Sequence, residues 1–146
     1  MTGGEGAADR PRLSARSVED LAVVAALLQD AIVPLGDMAY IEDTHSFVLA
    51  LNRFRWERGK DAATRERILS GLRFDAVRRV QYRGIRRDDR GQFLSLLTIS
   101  YDDGVVALHF AGGGVIRLEV DALHCALEDF GEPWPTPSTP SHDAAG

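Results

Sequence analysis

From Phe93 to Val120 apolar and polar residues alternate with a period of two, and the alternation is cut at short intervals by residues that reverse a chain. Phe93, Ser95, Leu97, Ile99 and Tyr101 form one face. Asp102-Asp103-Gly104 follows, then the inward set Val106, Leu108 and Phe110, then Gly112-Gly113-Gly114, and finally Ile116, Leu118 and Val120 alternating with Arg117 and Glu119. Successive strand side chains point to opposite faces, so this pattern is that of half-buried strands. Asp-Gly between two such runs is the strongest short hairpin signal. Three strands joined by two tight turns predict an antiparallel meander. The triple glycine reads as a turn, because it lacks the lysine of a phosphate-binding loop and no helix starts directly after it.

Two further runs precede the meander. Ile68, Ser70, Leu72 and Phe74 share one face, with Arg67, Leu69, Gly71 and Arg73 on the other. Val77 to Ile85 follows with Val80 and Tyr82 inward and Arg79, Gln81 and Arg83 outward. The apolar phase slips between Phe74 and Val77, which predicts a bulge or a sharp corner. Near the N-terminus Leu13 to Arg16 reads as a short strand. Ser17 is an N-cap with Asp20 three residues on, opening a helix from Val18 to about Gln29 whose stripe is Leu21, Val24 and Leu28. Asp121 reads as the N-cap of a short C-terminal helix with Leu123, Ala126, Leu127 and Phe130 against the sheet, ended by Gly131 and Pro133. The expected fold is α+β: a mainly antiparallel, strongly curved sheet or partial barrel with an N-terminal and a short C-terminal helix. By element order alone it is like a pleckstrin-homology module, and a flatter two-layer sandwich is the alternative.

The stretch from Asp30 to Glu57 carries the candidate binding residues. Met38 to Ile41 and Phe47 to Trp56 flank Asp43, Thr44 and His45 and predict a hairpin. Along the second run Phe47, Leu49 and Leu51 share a face with Arg53 and Arg55, while the other face ends in Phe54 and Trp56. Two guanidiniums at that spacing can grip a carboxylate or phosphate, and arginine and tryptophan are enriched at binding hot spots. Arg53, Arg55, Phe54 and Trp56, with Asp37 nearby, are therefore the expected binding residues. The bland alternative is pairing of the arginines with carboxylates of the same fold, such as Asp30, Asp37 or Asp43. His45 is too far along the strand to join them.

The run Asn52-Arg53-Phe54-Arg55-Trp56-Glu57, with Leu28-Gln29-Asp30, Gly36-Asp37-Met38 and Asp129-Phe130-Gly131 before Pro133-Trp134, resembles a family of small bacterial proteins catalogued only as a domain of unknown function. The resemblance covers roughly residues 13–134 and implies no activity, cofactor or catalytic residue.

At 146 residues the chain suits one domain with its own core. Residues 1–12 and 135–146, rich in Gly and in Pro/Ser/Thr respectively, are expected to be disordered around a globular region over 13–134. No apolar run reaches the roughly 20 residues of a membrane span. The single cysteine, Cys125, cannot form an internal disulfide and fits the cytoplasm, and the histidines lack the spacing of metal ligands. Thirteen of the seventeen basic residues lie between Arg53 and Arg90 against six acids, which leaves that window at +7 and the remainder at -12. Such polarity suits an anionic partner. With no nucleophile beside a base, no carboxylate pair and no metal cluster, the sequence points to a non-enzymatic binding or interaction module for a protein or small anionic ligand, with no cofactor. The alternatives are a small-molecule enzyme with an arginine-lined anion site and a nucleic-acid-binding accessory protein. Exposed strand edges leave a homodimer open.

Overall fold

The computed structural model describes residues 12–54 and 66–135. The expectations for residues 1–11 and 136–146 lie outside the described residues, while Arg12 and Pro135, at the edges of those segments, belong to strands. The strands are β1 (Arg12–Ala15), β2 (Ile32–Pro34), β3 (Met38–Ile41), β4 (Ser46–Phe54), β5 (Glu66–Phe74), β6 (Val77–Arg83), β7 (Phe93–Asp102), β8 (Val105–Phe110), β9 (Val115–Val120) and β10 (Cys125–Pro135), with one helix, α1 (Val18–Leu27). Every pairing is antiparallel, in the order β1-β10-β5-β4-β2-β7-β8-β9-β6, with β3 added on β4.

The connections force this sheet to curl. β5 passes straight into β6 through Asp75 and Ala76, yet the two strands lie in different parts of the strand order. Ala76 takes a left-handed conformation, φ 57°, which turns the chain within two residues at the place where the phase slip predicts a corner. The link from β9 to β10 turns alongside it. Asp75 N–H donates to the His124 carbonyl at 3.0 Å and Asp121 N–H to the Ala76 carbonyl at 3.0 Å, so both corners bend as one. At the rim, Val77 N–H donates to the His45 carbonyl at 2.8 Å and the Tyr40 hydroxyl to the Val77 carbonyl at 2.6 Å. Beyond that point β6 has β9 alone as a strand partner among the described residues, and the sheet stays open.

The concave side holds a single apolar core, which includes Phe47, Leu49 and Leu51 of β4, Leu72 and Phe74 of β5, and Ile116 and Leu118 of β9. Burying large apolar side chains stabilises the fold by about 1.5–3 kcal/mol each. Leu21, Val24 and Ala25 bring α1 onto β7 and β1. Asp20 N–H donates to the Ser17 hydroxyl at 3.1 Å, the cap foreseen from the sequence. The helix stops at Leu27 because Asp30 is left-handed, φ 67°, and its N–H is taken by the Leu96 carbonyl at 2.8 Å.

Two expectations are corrected. The residues assigned to a C-terminal helix form β10, held between β1 and β5 by ladders on both sides; with no helix there, the order of elements departs from that of a pleckstrin-homology module. In β7, a register shift between Leu96 and Thr98 changes which residues face inward. Leu96 and Ile99 are buried, whereas Phe93 and Leu97 of the expected face are exposed.

Candidate functional site

On the concave side, β4, β5 and β10 place Leu51, Ser70 and Asp129 in one cross-strand row, with Arg53 one row on. Arg53 and Asp129 are both 0% exposed. The guanidinium meets the carboxylate in a fork, Nε to Oδ1 at 2.9 Å and Nη2 to Oδ2 at 2.7 Å, while the Ser70 hydroxyl donates to Oδ1 at 2.5 Å and Nη1 to the Phe54 carbonyl at 3.0 Å. A carboxylate removed from water needs its lone pairs filled this way. On the other face of the same strands Arg67, also buried, is paired in register with Phe54, lays its guanidinium 3.9 Å from the centre of the Phe54 ring and donates to the Asn52 carbonyl at 3.0 Å. The arginine that the sequence offers as a ligand clamp thus has its fork on Asp129. Asp30, offered as its structural partner, is exposed and forms no ion pair with it among the described residues. Arg55 and Trp56 lie outside the described residues.

The convex side of the same strands carries the cavity. Opposite residues line up as Ser14, Ala126, Arg73 and Val48, and in the next row as Arg12, Glu128, Gly71 and Ala50. A one-sided sheet presents polar residues to water on this face. Here small apolar ones form a floor, and the Phe130 ring leans over Gly71, where a Cβ would come within 2.8 Å of a ring carbon. A mid-strand glycine marks such a close approach. The result is a concavity of about 600 Å³, with Asp37 at its edge from the 3-10 turn Leu35–Asp37. Its charged rim is balanced: Arg12 pairs with Glu128 at 3.1 Å and Arg73 with Asp75 at 2.7 Å. Of the residues proposed from the sequence, Asp37 borders this hollow, Phe54 lies further along β4, and Arg53 supports the strands from behind.

The family model for DUF2948, described as a protein of unknown function, matches residues 12–142 and so takes in every strand of the sheet. The chain belongs to DUF2948. No curated protein and no solved structure matches it.

A second polar cluster of the DUF2948 chain sits at the β5–β6 corner. Asp75 accepts from Arg73 at 2.7 Å and from the Ser46 hydroxyl at 3.1 Å, with His124 Nδ1 at 3.3 Å and Arg16 3.4 Å from His124 Nε2. Partial burial works against the charge on Asp75, but the bonds from Arg73 and Ser46, with the charges of Arg73 and His124, hold its carboxyl below the usual aspartate value. Beneath it, burial pushes the Cys125 thiol up to about 12, with the Asp75 charge adding to the effect. A thiol so protonated is inert. Among the described residues no cluster of three His, Cys, Asp or Glu side chains could hold a metal ion, and no helix is long and apolar enough to cross a membrane.

The sequence reading missed Asp129 and Gly71. Each left a trace: Asp129 is an acid in phase with Cys125 and Leu127, and Gly71 interrupts an otherwise good strand.

Proposed function

We propose that this DUF2948 chain is a non-enzymatic interaction module that receives an apolar side chain from an extended segment of a partner protein in the convex hollow. The observation that carries this reading is a roomy, small-residue floor on a sheet face that would otherwise be polar. Fixed side chains support it: the floor belongs to strands held from behind by the Arg53–Asp129 pair, and a pre-formed pocket spends little binding energy on ordering. The rim carries both signs in equal number, Arg12 with Glu128 and Arg73 with Asp75, so it offers a free anion no net attraction and suits an apolar residue flanked by polar ones. The single, buried cysteine supports placing the module in the reducing cytoplasm.

The test is selection of peptides from a randomised display library on the immobilised protein, with counter-selection on Ala50→Leu, whose side chain occupies the floor. Selected peptides should share an apolar residue and lose about tenfold or more in affinity, about 1.4 kcal/mol, to the variant at an unchanged thermal midpoint. Equal affinity for both proteins would place binding elsewhere.

A further inference from the structure

We infer that the free edge of β6 is a second docking site, one that takes an extended, acidic strand of a partner protein by adding it to the sheet. This surface is separate from the convex hollow and does not depend on it.

β6 ends the strand order, with β9 on one side. Among the described residues only Val77, the first of the strand, has its backbone groups occupied across the rim, by His45 and Tyr40. An unpaired edge is a template for another strand through its outward N–H and C=O groups. On the convex face of β6 stand Arg79, Gln81 and Arg83, on the concave face Val80 and Tyr82, which pack on the core. The arginines are available. Arg79 is 3.6 Å from Glu119 and 62% exposed, a pairing that water and salt weaken, and Arg83 has no ion pair among the described residues. Arg87 extends the positive edge, stacking its guanidinium 4.3 Å from the centre of the Tyr82 ring.

This arrangement also selects among occupants. Two copies joined edge to edge about Gln81 would set Arg79 of one against Arg83 of the other, and like charges directly opposite on paired strands repel. A segment alternating acidic and apolar residues fits instead, its carboxylates beside Arg79 and Arg83 and its apolar side chains continuing the row of Val80 and Tyr82. The basic window of the sequence thereby acquires a geometry, because part of it lies along a strand whose backbone is open.

The probe is a fluorescent peptide as long as β6, seven residues, alternating glutamate and valine and followed by anisotropy in roughly 50 mM salt, where the Debye length exceeds 10 Å. Three competitors accompany it: a peptide of the same composition in two blocks, one N-methylated at every second amide, and a single-stranded oligothymidine. The alternating peptide should bind about tenfold or more tightly than each of the three. The exposed charge reversal Arg79→Glu with Arg83→Glu should abolish that binding and transfer preference to a lysine–valine peptide, in a protein that still unfolds cooperatively at a midpoint slightly lowered by the like charge set opposite Glu119. Slowed amide exchange in β6 upon binding would locate the contact. The inference is overturned by absence of saturable binding, by equal binding of the block or methylated peptide, which would mean charge attraction without strand pairing, or by tighter binding of the oligonucleotide.

Discussion

Replacing Arg53 by methionine removes the cation and keeps much of the apolar stem, so its main effect is to leave the Asp129 carboxylate in a site with no exposure to water. Two fork bonds of 2.9 and 2.7 Å go, and of the side chains named around Asp129 only the Ser70 hydroxyl stays. Breaking a buried pair from one side costs about 3–5 kcal/mol, a large share of the roughly 5–15 kcal/mol that a domain commands. For a chain of this size each kcal/mol moves the thermal midpoint by about 3–5 °C, so a fall on the order of 10–20 °C is expected. The reverse variant, Asp129→Leu, takes the Asp129 charge away from the buried guanidinium and should cost a similar amount. The double variant Arg53→Met with Asp129→Leu removes both charges and should recover to within about 2 kcal/mol of the parent, since an apolar replacement of a buried pair is often neutral or better. Urea unfolding of the four proteins closes the cycle. If Arg53→Met cost less than about 1 kcal/mol, the range of an exposed pair, the assignment of this pair as the clasp between β4 and β10 would be wrong.

Asp30→Asn, which removes the charge and still tolerates the left-handed turn, should leave the urea midpoint within error, because the carboxylate is exposed and the turn is held through the backbone; a loss above about 1 kcal/mol would reveal a missed partner of the carboxylate. Asp75 has a folded value below its ordinary 3.8, so the folded state binds fewer protons than the unfolded one. Its contribution is therefore present above that ordinary value and lost as pH falls through the lower folded one. Asp75→Asn should flatten stability across that acid window, and an identical acid profile would refute the contribution. Cys125 should resist iodoacetamide at pH 8 in the native protein and react on unfolding; stoichiometric native labelling, read by mass, would contradict its burial.

The chain announces local geometry well and distant partners poorly. Ser17, the turn at Asp103 and Gly104 with φ 51° and 77°, and the corner at Ala76 are set by neighbours in sequence, and each was readable. β10 was not. Ala126, Leu127 and Phe130 fit a helical stripe as well as Cys125, Leu127 and Asp129 fit a strand, and only the ladders to β1 and β5 decide between them. Asp129 looks like a surface acid until Arg53 is set beside it, and the two are 76 positions apart. The β7 phase failed for a related reason: one extra residue at its bulge turns Leu97 outward. Of the candidate residues, Asp37 was placed near a concavity by its turn, but the hollow itself comes from small residues on four elements that no single stretch of sequence displays together.

The strand that completes this sheet is also the last described strand to leave the ribosome. β10 lies between β1 and β5, so a nascent chain released as far as β9 has β1 without its neighbour and Arg53 without the fork to Asp129. Non-local pairing of this kind slows folding and prolongs the exposure of sticky edges. The convex hollow takes part of its floor and its Phe130 wall from the same strand. A partner that binds there would meet only finished copies, and prematurely terminated ones would present neither the hollow nor a closed core.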